Sequence, residues 1–343
     1  MGCGQSPLPL SVAVSFLALA ARAVQEEDVY RALDALHVRY DTGAVRRAAA
    51  ESAARTVDPG AAILPADEPA PPETAASVAA AEEWPEGLRY LRLRGLHADA
   101  ASGVVARVAD WSAGGRAAGL ILDLRGAGGA NLAAVDAAGA LFATPEAELY
   151  WLRDSAGGVL ERRRAPAGPA PAARLPVMLL MDSETRGAGE ALAAVLKGRP
   201  GVMLIGGRTR GDAGLRVRAP LTANTVLSVA TAWIVPASGT EYDRVGVAPD
   251  LAVSNGVAGA ALAAPPGEDD GRRPRSGRAR QDQALMQRVG GDPWLSRATD
   301  ILLAVKALHE RTPPAAGPPP AAAGGPDGAA PPAAPGAPEE AAP

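Results

Sequence analysis

Residues Pro176–Gly214, PVMLLMDSETRGAGEALAAVLKGRPGVMLIGGRTRGDAG, decide the fold of this 343-residue chain. The apolar run Val177–Met181 reads as a buried strand, Gly187–Lys197 as a helix, and Val202–Ile205 as a second buried strand ending in a Gly-rich loop. Short apolar runs on either side of a helix make a β-α-β unit, whose two strands are parallel and whose functional edge lies where the strands end. The turn after Met181 and the loop after Ile205 are therefore the places to look for a site.

The same grammar precedes this unit. LRYLRLRGL (Leu88–Leu96) alternates as a strand with Tyr90 and Arg92 on a polar face. Ala98–Ala113 places Val104, Val105, Val108 and Trp111 on one helical face. GLILDLRG (Gly119–Gly126) is a buried strand running into the turn Gly126–Gly129, and Leu132–Phe142 is a further helix. After the opening unit, Val217–Pro220 and Thr225–Val235 are strand-like, and Leu251–Val253 suits a short edge strand. The fold class is α/β, a parallel-sheet core with helical N- and C-terminal flanks.

The flanks divide as follows. Residues 1–23 hold an apolar run, Leu8–Ala21, followed by Ala21-Arg22-Ala23, which suits signal peptidase and points to export to the periplasm or cell envelope. The preceding MGCGQSP has no Lys or Arg, so an uncleaved N-terminal anchor is the alternative. No stable membrane span is expected elsewhere. Residues 24–64 read as two short amphipathic helices broken at Asp41-Thr42-Gly43, and residues 65–85 as a Pro/Ala/Glu-rich linker. The core spans 86–255. A charged, flexible linker is expected over 256–283, a C-terminal helix over 284–312 with Asp292 as N-cap and Pro293 in its first turn, and a disordered Ala/Pro-rich tail over 313–343.

Composition excludes several functions. The formal charge of −4 is spread without a basic stripe, so nucleic acid is not an expected partner. Cys3 is the single cysteine, and the three histidines, His37, His97 and His309, lie far apart without zinc spacing, so no metal or other cofactor is expected. Oligomeric state is not readable.

Three separated blocks resemble one family. ILDLRGAGGANLAAVDAAGALF (Ile121–Phe142) is similar to the LDLRGNPGG block of the C-terminal processing peptidases, or tail-specific proteases. Asp182–Gly214 resembles that family's N-x-G-S-A-S-A-S-E helix start and G-x-x-T-F-G-K-G loop, and PASGTEYDRVGVAPD (Pro236–Asp250) its TPSGR…GV.PD segment. The resemblance implies a crotonase/ClpP-like core and a serine peptidase with a Ser-Lys dyad. Matched through Glu190, Thr209 and Gly211 without a gap, the serine position is Gly187 and the lysine position Asp212, at the family's spacing of about twenty-five residues. The auxiliary positions are Gly198 and Arg216, and the oxyanion-type backbone donors would be Gly129 and Ala188. These proteases usually carry a PDZ domain before the core, where here only Pro65–Pro85 intervenes.

A glycine supplies no nucleophile, and a carboxylate cannot serve as a neutral amine base. The expectation is a pseudopeptidase whose groove binds a peptide or protein partner. The alternatives are an active hydrolase with relocated residues, using Ser183 or Thr185 with Lys197 as base or two of the acids Asp182, Glu184, Glu190 and Asp212, and a structural or assembly role. Asp212 is expected to cap the Gly187 helix, Asp123 and Arg125 to form a structural pair, and Trp233 and Tyr242 to serve as packing or to line the groove.

Overall fold

The computed structural model describes residues 25–36, 39–68, 76–114, 117–168, 170, 172–253 and 277–311. The expected signal segment, the tail, residues 254–255 at the end of the expected core and residues 256–276 of the expected linker lie outside these. Two N-terminal helices, α1 (Glu26–Ala35) and α2 (Thr42–Val57), precede strands β1 (Ala62–Pro65) and β2 (Val78–Glu83). The Asp41 carboxylate caps α2 by accepting from the Gly43 and Ala44 amides, which is why the chain breaks there.

The central sheet has the order β13-β10-β9-β5-β3-β2. Its members are β3 (Leu88–Leu93), β5 (Gly119–Asp123), β9 (Val177–Met181), β10 (Val202–Gly206) and β13 (Leu251–Ala252), all parallel, with β2 antiparallel at one edge. Each of β3, β5, β9 and β10 is added on the same side of its predecessor. Right-handed crossovers then place all the connecting helices on one face: α3 (Ala100–Ala113), α4 (Leu132–Ala140) and α5 (Gly187–Leu196). The two-residue strands β4 (Gly95–Leu96), before α3, and β6 (Gly128–Gly129), before α4, pair in parallel.

Strand alternation divides the core in two. Leu120, Leu122, Val177, Leu179, Met181 and Leu204 point into the layer under α3–α5. Ile121, Met178, Leu180 and Ile205 point to the opposite face, where Trp294, Leu295, Ala298 and Leu302 cover them. The cover comes from the C-terminal helices α6 (Gly277–Gly291) and α7 (Pro293–Arg311), whose junction is Asp292. Asp292 caps α7 through the Trp294 and Leu295 amides and also receives Arg125 at 2.7 Å. The Arg125 guanidinium in turn holds Asp123 and lies 5.3 Å from the Trp294 ring centroid.

A second sheet carries β1-β12-β7-β8, with β11 also on β12. It is built from β7 (Glu148–Arg153), β8 (Val159–Arg164), β11 (Gly214–Thr222) and the long β12 (Thr225–Pro236).

Several expectations need correction. Residues 65–85 are not simply a linker: Val78–Glu83 is an edge strand hydrogen-bonded to β3, and Trp84 is buried against Tyr90 at 5.0 Å between centroids. Strand β3 has no polar face apart from Arg92, because Tyr90 turns its hydroxyl inward to Asp123 at 2.9 Å. The hairpin β7–β8 has no strand signal as clean as β12, since its second strand, VLERRR, is exposed almost throughout. Helix starts at 277, inside the expected linker, and the expected single helix 284–312 is two helices bent at Asp292.

Because α7 closes one whole face of the sheet, Leu302→Ala is expected to lower unfolding stability by about 2–5 kcal/mol in urea titration, the cost of a core cavity. Arg288 grips Glu82 through two nitrogens at 2.8 and 3.0 Å and stacks on Trp84 and Tyr90. Burial pushes the Glu82 carboxyl up, but the hydrogen bonds from Arg288 and Trp84 outweigh it and hold the group below its ordinary value. Stability from a depressed carboxyl is present above its unfolded value and lost as pH falls through the folded one. Acid titration should therefore release α6 below the ordinary glutamate range, and Glu82→Gln should flatten that dependence in hydrogen exchange of α6.

Candidate functional site

Two turns meet at the C-terminal ends of β5 and β9. The Asp182 carboxylate accepts from the Gly126 amide at 3.0 Å and from the Thr185 amide at 3.0 Å, tying the first turn to the second. Thr185 is fully buried and donates its hydroxyl to the Leu124 carbonyl at 2.8 Å, while the Arg186 amide donates to the Ala127 carbonyl. Helix α5 then starts at Gly187.

Gly187 has φ of +53°, a conformation that costs an L side chain about 1–2 kcal/mol. A Cβ built there would lie 2.5 Å from the Gly129 carbonyl oxygen. Nothing with a side chain fits without moving the Gly turn. Gly129 thus presents its carbonyl oxygen toward Gly187. Ala188 is buried in the first turn of α5.

One turn further on, Glu190 is fully buried. Its carboxylate accepts from the Thr209 hydroxyl, from the Gly211 amide at 2.6 Å and from the Asp212 amide at 2.7 Å. Thr209 accepts in turn from the Val247 amide at 2.7 Å. A single carboxylate thereby fixes the loop after β10 and the segment before β13. Burial pushes the Glu190 carboxyl above its ordinary range, and the three donors work against that shift.

Asp212 does not cap α5. Its side chain is taken by Arg216 at 2.5 Å, and Arg216 also reaches Asp58 at 3.7 Å. Asp58 follows α2, is buried, and accepts from the Ala230 amide at 2.9 Å. The guanidinium passes so close under Gly60 that a Cβ there would fall 1.9 Å from it. Burial opposes the Arg216 charge, but Asp212, Asp58 and Asp243 outweigh it and raise its pKa. The ion cluster therefore anchors the N-terminal segment across the loop that carries Asp212.

The remaining candidates are separate from this cluster. Lys197 ends α5 and is bound by the Ala248 carbonyl at 2.6 Å and Asp250 at 2.9 Å. The only other lysine of the sequence, Lys306, pairs with Glu86 at 2.7 Å. Gly198, with φ of +74° and open space around it, is the turn that ends α5. Ser183 and Glu184 are exposed in the turn before Thr185. Asp123 and Arg125 form the structural pair expected of them, extended to Asp292.

Trp233 packs beneath Arg153, 5.2 Å from ring centroid to guanidinium carbon, and Tyr242 is buried. Burial, with Glu190, Asp212 and Asp243 nearby, keeps the Tyr242 phenol protonated well above its usual range. Sequence reasoning missed Asp58. The only signal for it was the Asp-Pro-Gly stop after α2, which carries no hint of a partner more than 150 residues away. Among the described residues no group of three His, Cys, Asp or Glu side chains could hold a metal ion, and no helix is long and apolar enough to cross a membrane.

Residues 87–253, which contain both turns, the Glu190 loop and β13, match the model of peptidase family S41. This domain belongs to peptidase family S41. Among solved structures, a Parabacteroides merdae protein assigned as a peptidase shares 17% identity over 69% of this chain and 84% of its own, with a TM-score of 0.50. A Streptococcus agalactiae lipoprotein shares 16% identity over 74% of this chain and 96% of its own, with a TM-score of 0.47. A photosystem II D1 C-terminal processing protease shares 24% identity over 57% of this chain, with a TM-score of 0.44, and this chain spans 48% of its length. At these identities the likeness is one of fold. No curated protein matches the chain in sequence.

Within the S41 domain the Glu190 network is an element where substitution is expected to be costly. Glu190→Ala leaves two backbone N–H groups and a buried hydroxyl without their acceptor, each worth about 1–3 kcal/mol. It is expected to cost about 3 kcal/mol or more in denaturant titration, and to speed hydrogen exchange at Gly211 and Asp212 while leaving β5 and β9 protected.

Proposed function

We propose that this S41 domain is a pseudopeptidase of the cell envelope that binds an extended peptide or a protein partner and does not cleave it. One observation carries the reading: the nucleophile position, Gly187, has a left-handed backbone with the Gly129 carbonyl standing where a side chain would begin. Nucleophilic catalysis needs a hydroxyl or thiol beside a base. Here the hydroxyl of Thr185 is spent on the Leu124 carbonyl, and both lysines of the sequence are bound to acids away from Gly187. The base position, Asp212, carries the opposite charge and is neutralised by Arg216.

Binding is supported by the rigidity of the loops that remain. The Asp182 and Glu190 carboxylates hold them by hydrogen bonds to backbone amides, so they form a fixed surface that needs no ordering when a partner arrives. The envelope location rests on the apolar run Leu8–Ala21 and the Ala-Arg-Ala that follows.

The purified chain is expected to leave unfolded casein intact and to remain unlabelled by a fluorophosphonate probe. Turnover abolished by Ser183→Ala or Thr185→Ala would instead make it an active hydrolase with relocated residues. The double variant Gly187→Ser, Asp212→Lys is expected to stay unlabelled too. It should also melt lower than the parent, because the serine meets the Gly129 carbonyl and the lysine faces Arg216. Labelling of that variant at a rate comparable to serine peptidases would refute the backbone argument.

A further inference from the structure

The exposed charge of the S41 site is one-sided. Helix α5 takes Arg186 as its N-cap, a cation at the positive end of the helix dipole, where it is disfavoured and where its side chain makes no capping bond. The Arg210 amide donates to the Thr185 carbonyl at 3.1 Å, which seats a second arginine beside the first. Both guanidiniums share one carboxylate: Glu184 lies 4.0 Å from Arg186 and 3.9 Å from Arg210, and its own side chain is 66% exposed. One negative charge cannot neutralise two positive ones, and exposed pairs at these separations are weak.

Two more arginines extend the row. Arg94, just before β4, accepts the Gly128 amide on its carbonyl at 3.2 Å, and the Arg186 side chain passes over the same glycine, its Nε 3.7 Å from where a Cβ would stand. Arg208 flanks the buried Thr209 opposite Arg210 and donates only to the Val245 and Gly246 carbonyls, at 3.4 and 3.1 Å. Arg94 and Arg208 are exposed, and among the described residues neither has a carboxylate partner. The other acids of this edge are already engaged. Asp182 serves the Gly126, Glu184 and Thr185 amides, Glu190 is buried on the loop after β10, Asp212 holds Arg216, Asp243 lies 3.3 Å from Arg244, and Asp123 and Asp292 hold Arg125. An arriving chain therefore meets Arg94, Arg186, Arg208 and Arg210 against Glu184.

We infer that the partner of the S41 site is an acidic peptide segment, whose Asp or Glu side chains bind these four arginines from the Gly turn to the loop after β10. Like charges crowded at the wrong end of a helix break a local rule, and such breaks belong to sites where an opposite charge completes the arrangement. Guanidiniums also suit carboxylates in geometry, taking them two oxygens at a time. A peptide fits better than a flat anionic surface, because the arginines follow the ends of adjacent strands rather than one broad face. The inference rests on the peptide-binding reading above and adds the chemistry of the partner.

Fluorescence anisotropy with the full chain tests it, using fluorescein-labelled extended peptides that are identical except at alternate positions, which are all Glu, all Gln or all Lys. The Glu peptide is expected to bind about ten-fold tighter than the Gln peptide, and to lose that advantage as salt is raised. Replacing both Arg186→Gln and Arg210→Gln should weaken the Glu peptide about ten-fold and leave the Gln peptide unchanged. Glu184→Gln, which removes the competing carboxylate at an exposed position, should tighten the Glu peptide about two-fold to three-fold, an effect that a merely structural role of the arginines would not produce. Equal affinity for the Glu and Gln peptides overturns this inference and leaves peptide binding standing. Failure of all three peptides to bind overturns the peptide-binding reading and this inference with it. A Glu184→Gln chain that binds the Glu peptide no tighter also overturns the inference, and displacement of that peptide by vesicles of anionic lipid would assign the arginines to a membrane surface instead.

Discussion

Strands β5 and β9 are buried on both faces, and that constraint organises the molecule. A strand with Leu120 and Leu122 on one side and Ile121 on the other cannot leave either side to water without losing roughly 1.5–3 kcal/mol for each large side chain left exposed. Helices α3, α4 and α5 satisfy one face because right-handed crossovers put them there. The other face has no crossover helix, so the chain must bring cover from its far end. Helix α7 does so, and the Asp123–Arg125–Asp292 ion set places its first turn over Trp294 and the end of β5.

The same two strands decide where the site lies. Both end in tight turns on the same edge, and a turn there leaves amides that need acceptors. Asp182 and Glu190 supply them, and in doing so they position three loops against one another. What an S41 peptidase would add to this frame is a nucleophile and a base. In the proposed reading those positions are Gly187, whose backbone closely approaches the Gly129 carbonyl, and Asp212, half of an ion pair that holds down the N-terminal segment.

Asp212 shows how far local rules reach. An acid beside a helix start suggests a cap, and the distance in sequence permits it. The cap is not formed, because the Asp212 amide rather than its carboxylate faces Glu190, and the carboxylate finds a guanidinium 2.5 Å away. A charge-assisted pair with arginine outcompetes a bond to an amide. Residues 65–85 illustrate the opposite error. Their Pro, Ala and Glu content argues for a linker, yet Val78–Glu83 pairs along β3, with a bulge between Val78 and Ala80, and Trp84 gains a stacked partner, which outweighs poor strand propensity.

The sequence by itself determined the parallel core, because runs such as Val177–Met181 and Leu120–Leu122 are too apolar to be anything but two-sided strands. It also shows which residues stand at the two positions that the proposed function turns on, Gly187 and Asp212, since residue identity is read directly from the sequence. Tertiary structure alone decided that the Gly129 carbonyl closes on Gly187, that Arg216 joins Asp212 to Asp58, and that α7 lies on the open face of the sheet. Apart from the Asp212–Arg216 pair, four residues apart, those contacts join residues far apart in the chain, and their partners are chosen by backbone geometry and burial, which no local pattern encodes.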